Sequence, residues 1–132
     1  MVRTLSIVIV VLALIDGLVH LSLNLFVTHG ILTRPPISVL FFLNFLGYLA
    51  LIVAFLYVQQ SSMSLRRLVD VVLIVYPLIT LVAWIYFTKG RGNPFGLAEI
   101  SKPAEVILAV VTVLHLVRLG TEEQPELARA QT

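Results

Sequence analysis

Four apolar runs, residues 5–27, 37–58, 68–87 and 103–119, occupy most of a 132-residue chain. The first three hold about twenty residues or more, enough to cross a hydrocarbon core of roughly 30 Å at about 1.5 Å per residue. The fourth is shorter and would stand upright or thin the bilayer slightly. In hydrocarbon every backbone N–H and C=O must be paired inside its own segment, so each run is predicted to be a helix. The expected fold is therefore all-α: an integral membrane four-helix bundle over residues 1–120, with a polar tail at 121–132. Composition agrees, since only 12% of residues are charged, about half the share of a soluble domain.

The breaks between runs have local causes. Thr28-His29-Gly30 ends the first, and Arg34-Pro35-Pro36 cannot continue a helix but can start the second. Gln59-Gln60-Ser61-Ser62 is a polar turn, and residues 89–96 form the longest and most turn-rich connection. Ser101 is expected to cap the fourth helix, with Pro103 in its first turn. The tail from residue 121 reads as frayed or as a short surface helix. The amino-terminal run continues past residue 20 without a small-residue cleavage site, so it reads as an uncleaved span rather than a signal peptide. Trp84, Tyr86 and Phe87 at the end of the third run, with Phe95 beyond, read as an interfacial aromatic belt.

Four spans place both termini on one side. That side carries Arg3, Arg66, Arg67, Arg118 and Arg129, against Arg34, Lys89, Arg91 and Lys102 on the other. The excess of positive charge predicts a plasma-membrane protein with cytoplasmic termini. So narrow a bias is also what a dual-topology protein would carry.

Asp16 lies in the middle of the first run. A carboxylate near the bilayer centre is costly, so it needs a partner or a proton and marks the first candidate site. Counting at 1.5 Å per residue from the side opposite the termini, Asp16 is roughly 18 Å deep, His20 about 12 Å and Asn24 about 6 Å. Their i, i+4, i+8 spacing puts them on one helix face. The same count gives two polar layers. One holds His20, Asn44, Thr80 and Thr112; the other holds Asp16, Tyr48, Tyr76 and His115. Most such groups serve only to join membrane helices, at about 1–2 kcal/mol or less each. His115 is the expected partner of Asp16 by depth, and His20 by position on the same helix. Asp70, four residues after Arg66, and Glu105, in the expected first turn of the fourth helix, read as ordinary helix-start acids.

Other chemistry is thin. Without cysteine there is no disulfide, thiol redox centre or Cys-ligated metal. Among the basic residues only Arg66 and Arg67 are adjacent, which is no nucleic-acid footprint. Asp16, His20 and His115 could supply three metal ligands at most, with no recognisable spacing. A b-type haem would need His20 and His115 at similar depth, and the count separates them by roughly 7 Å. No phosphate loop or nucleophile elbow is present, and no enzyme activity is expected.

Gly92-Asn93-Pro94-Phe95-Gly96, followed by Glu99, Ser101-Lys102 and Glu105, together with Gly17-Leu18-Val19-His20-Leu21, resembles a family of small four-span prokaryotic membrane proteins of unknown function. The resemblance covers the whole chain and implies the architecture, without an activity. Glu99-Ile100-Ser101-Lys102 stands where that family has an Asp beside the Lys. Three functions follow as expectations. The first is a non-enzymatic accessory, scaffolding or lipid-binding subunit, partnered by the bilayer and by other membrane proteins. The second is a proton-coupled transporter or channel, a homo-oligomer built around Asp16. The third is a haem or quinone electron carrier.

Overall fold

A computed structural model of the protein describes residues 2–28, 37–88 and 97–130. The first helix, α1 (Val2–Ser22), runs into a five-residue π-helical turn, Leu23–Val27. It is followed by α2 (Ile37–Val58), α3 (Met63–Thr88) and α4 (Leu97–Ala130). Segments Val2–Phe26, Ile37–Val58, Met63–Tyr86 and Ser101–Thr121 are long and apolar enough to cross a membrane. Over the described residues the chain is all-α, with four long helices. Each helix packs against its sequence neighbours and α1 closes the ring against α4, with α2 and α3 the lightest pair. This is the up-and-down order that short connections favour.

The described turn between α2 and α3 is held by the chain itself. The Ser61 N–H donates to Val58 O at 2.9 Å, and Ser62 O accepts the first α3 bond, from Arg66 N–H, at 3.1 Å. Gln59 Nε2 donates back to Phe55 O at 3.2 Å. The connections at 29–36 and 89–96, including Phe95 of the expected aromatic belt, lie outside the described residues.

Three boundaries differ from the sequence reading. Helix α3 begins at Met63, before the apolar run, so Arg66, Arg67 and Asp70 are helical. Helix α4 begins at Leu97, so Ser101 is no cap and Pro103 sits in the second turn. The good helix formers Leu97, Ala98 and Glu99 extend the helix backwards, and Pro103 withholds only the N–H that would reach the carbonyl of Glu99. The expected separate tail is instead a continuation of α4 to Ala130.

Burial is inverted relative to a soluble bundle. Among the described residues eleven apolar and eleven polar or charged side chains are buried, while large apolar ones such as Leu18, Leu43, Val53 and Ile79 point outward. Outward apolar faces suit lipid, and the interior is where polar groups find partners.

Candidate functional site

The interior polar groups fall into two clusters, one in each half of the bundle. The first lies towards the π turn. His20 Nδ1 is 2.9 Å from the carbonyl of Asp16, one turn earlier, and must donate to it. That leaves Nε2 facing Glu105 Oε1 across the α1–α4 contact at 4.0 Å. Lys102 Nζ, one turn before Glu105, donates to the same Oε1 at 2.6 Å. From α2 the Tyr48 ring packs on His20, with centroids 5.9 Å apart, and meets Tyr76 of α3 edge-on at 5.1 Å. Thr80 lies beside both Tyr48 and Glu105, and its own proton goes to Pro77 O at 2.9 Å.

Asp16 is the exceptional member. Its side chain is 0% exposed, and neither carboxylate oxygen has a hydrogen-bond partner. It lies within electrostatic reach of Glu105 and Lys102. Tyr48 Oη and Glu105 Oε2 nearby are also buried, with the Thr80 hydroxyl as the polar group beside them. All four helices thus bring polar atoms to one region with hydrogen-bonding capacity unused.

The second cluster lies towards the termini. His115 of α4 places Nδ1 2.8 Å from Asp70 Oδ2 of α3 and Nε2 3.1 Å from Ser6 Oγ of α1. The Phe55 ring of α2 covers the imidazole, with centroids 5.4 Å apart. Both His115 and Asp70 are essentially unexposed, and Asp70 Oδ1 has no partner. The atom order, hydroxyl to imidazole to carboxylate, is that of a serine nucleophile with its base and orienter. Here Ser6 Oγ also lies 3.1 Å from Val2 O, one turn back on its own helix, and its single proton goes to one of the two acceptors at a time.

The nine residues proposed from depth do not form one cluster. Asp16, His20, Tyr48, Tyr76 and Thr80 gather as described, and Asn44 joins through the Tyr76 hydroxyl, which donates to its Oδ1 at 2.8 Å. Asn24 stands at the end, where its Nδ2 donates to Ser38 O at 2.6 Å and ties the π turn to α2. The Thr112 hydroxyl folds back to Leu108 O at 2.7 Å. His115 is not the partner of Asp16, because Asp70 and Ser6 hold it in the other half. The two layers therefore do not stand as drawn.

Three residues were undervalued. Asp70 and Glu105 read as helix-start acids because α3 and α4 begin before their apolar runs do; each lies more than a full turn inside its helix and is 1% exposed. A signal existed on α4: Ser101, Glu105, Leu108, Thr112, His115 and Leu119 recur at spacings of four and three, the seam of an interior helix face. Ser6 carried no comparable signal.

Glycines set two close approaches. A Cβ on Gly47 would overlap the Tyr76 hydroxyl, and one on Gly17 would press on Tyr48 Cβ at 3.4 Å. Haem ligation by both histidines would require His115 to release Asp70 or Ser6. Among the described residues, no group of three or more His, Asp or Glu is placed to hold a metal ion.

Comparison with known proteins gives one match. Residues 2–116 fit the model of a family described as a family of unknown function, DUF7475. No curated protein and no solved structure matches.

Proposed function

The chain belongs to DUF7475, a family of unknown function, and on that premise we propose that it is a small proton-coupled carrier or channel. Asp16 is the acid that takes up and returns the proton. One observation carries the reading: a carboxylate in the middle of a membrane span, wholly buried, with both oxygens lacking a hydrogen bond. A side chain that only joined helices would be paired, because an idle acid at that depth costs several kcal/mol, on the order of 3 by insertion scales. Glu105, His20 and Lys102 lie between Asp16 and the surface opposite the termini, a graded series of groups that bind protons.

The protein acts in this reading within the plasma membrane, with its termini in the cytoplasm and without enzymatic chemistry. A solute larger than a proton would travel between copies of the chain in a homo-oligomer. The test is reconstitution into liposomes containing a pH-sensitive dye, with a potassium-diffusion potential as driving force. Wild type should acidify the lumen faster than empty vesicles, and Asp16→Asn should return the rate to the empty-vesicle level. Equal rates for wild type and empty vesicles, or for wild type and Asp16→Asn, refute the reading.

A second reading, an accessory or lipid-binding subunit, draws on a different observation. An open apolar recess on α2 is lined by Leu46, Leu49, Ala50, Val53, Ala54 and Tyr57. The small side chains Ala50 and Ala54, four residues apart, would let a neighbouring helix or an acyl chain approach closely. Native mass spectrometry from the source membrane separates the two readings. A hetero-complex supports the subunit, and a homo-oligomer supports the carrier.

A further inference from the structure

Ser6, His115 and Asp70 occupy the half of the bundle that the Asp16 chemistry does not use. They come from α1, α4 and α3, and the Phe55 ring of α2 closes the fourth side. At about 1.5 Å per residue from the ends of the apolar segments, Ser6 is about 6 Å deep from Val2, Asp70 about 10 Å from Met63 and His115 about 9 Å from Thr121. Between this cluster and Asp16 the helix seams are apolar except for Thr112 on α4, whose hydroxyl is turned to Leu108 O. Ile9 and Ala13 on α1, Leu73 on α3 and Leu108 on α4 belong to one packed core with Phe55.

We infer that Ser6, His115 and Asp70 form the proton relay of the terminus-facing side, connecting surface water to the bundle interior through the Ser6 hydroxyl. This inference rests on the proton-carrying reading above.

The Ser6 hydroxyl has one proton and two acceptors at the same distance, 3.1 Å: the Val2 carbonyl and His115 Nε2. When the hydroxyl points at Nε2, that nitrogen is a lone pair, and the imidazole is neutral with its proton on Nδ1 facing Asp70. When the hydroxyl turns to Val2 O, Nε2 must carry a proton and donate it to Ser6 Oγ. The imidazole is then either an imidazolium against the Asp70 carboxylate, or neutral with its Nδ1 lone pair accepting from a protonated Asp70. The rotation of one hydroxyl therefore tracks whether Nε2 of His115 carries a proton.

The step balances. A hydronium ion gives a proton to Ser6 Oγ as the hydroxyl's own proton passes to Nε2, leaving a water molecule, a hydroxyl and an imidazolium. The imidazolium then gives its Nδ1 proton to Asp70 Oδ2, so one proton has entered and one neutral acid stands inside. The unpartnered Asp70 Oδ1 is the position from which the carboxyl group can engage the next acceptor. Ser6 is only partly buried whereas His115 and Asp70 are not exposed, so the hydroxyl is the wet end of the chain.

Two measurements test this on the full chain in lipid. In the flux assay Ser6→Ala should lower the proton rate by about an order of magnitude or more, and Ser6→Thr, which keeps a hydroxyl, should restore most of it. Exchange of the His115 ring protons with water, followed by nitrogen-15 NMR in bilayers, needs no flux and should slow by a similar factor in Ser6→Ala. If Asp16→Asn stops the flux while Ser6→Ala leaves both flux and exchange unchanged, the relay is wrong and the Asp16 reading stands. If wild type carries no protons, that reading fails. Unchanged exchange in Ser6→Ala would then overturn the relay too, and slowed exchange would sustain it as a local proton path.

Discussion

Deleting the Asp70 carboxylate tests the interior geometry most directly, because its size depends on what state the pair is in. In the native bundle Asp70 Oδ2 lies 2.8 Å from His115 Nδ1, and the two side chains are 1% and 0% exposed. A neutral hydrogen bond between membrane helices has a coupling energy of about 0.6 kcal/mol on average and about 1.7 at most. A desolvated ion pair is different: removing one partner leaves an uncompensated buried charge and costs about 3–5 kcal/mol. The double-mutant cycle of Asp70→Ala and His115→Ala separates these cases. We expect Asp70→Ala alone to cost about 3 kcal/mol or more. We expect Asp70→Asn to cost much less, because its amide oxygen still accepts from Nδ1–H. The coupling energy should exceed about 2 kcal/mol, beyond the neutral range. The assay is reversible unfolding in mixed detergent micelles, followed by circular dichroism and a second probe to check two-state behaviour. A coupling below about 0.5 kcal/mol would rule out the desolvated ion pair, and with it the imidazolium–carboxylate state that the relay passes through.

Two further predictions concern how the helices are held in register. Gly47→Ala should force Tyr76 to swing away, since the new Cβ would lie 2.6 Å from its Cζ; the bond to Asn44 and the edge contact with Tyr48 would both go, for about 1–2 kcal/mol. Tyr76→Phe loses only the hydrogen bond, so equal destabilisation of the two variants in the same unfolding assay would contradict the contact. Asn24→Ala removes the 2.6 Å bond to Ser38 O and should cost about 1 kcal/mol, with faster amide exchange confined to residues 23–28. Asn24→Asp should be worse than alanine, because it turns a carboxylate oxygen towards a carbonyl. The reverse order would argue that Asn24 does not tie the π turn to α2.

The π turn itself belongs to the same logic. Thr28 N–H reaches Leu23 O at 3.1 Å, five residues back, and Thr28 Oγ1 donates to Asn24 O at 2.8 Å. An inserted residue of this kind widens the helix where its backbone must meet a neighbour. Asn24 would otherwise continue the Asp16, His20 stripe at regular spacing; with the widened turn it bonds α2 instead of the central cluster.

The four helices, their approximate spans and the place of Asp16 in the middle of the first were determined by the sequence alone. The reason is the solvent: a bilayer demands internally paired backbone and outward apolar surface, and both demands are written in local composition. The three-and-four spacing of polar residues along α1 and α4 was legible for the same reason, since it is a property of one helix. Partner identity was decided only by the tertiary structure. Which face of α3 meets α4, and at what height, depends on where each helix starts and how it is rotated, and errors of a turn at Met63 and Leu97 moved Asp70 and Glu105 from the surface into the interior. That rotation gives His115 to Asp70 and Ser6, brings Glu105 to His20, and leaves Asp16 buried with neither oxygen bonded. A contact between helices is a property of two surfaces at once, and no run of residues on either one contains it.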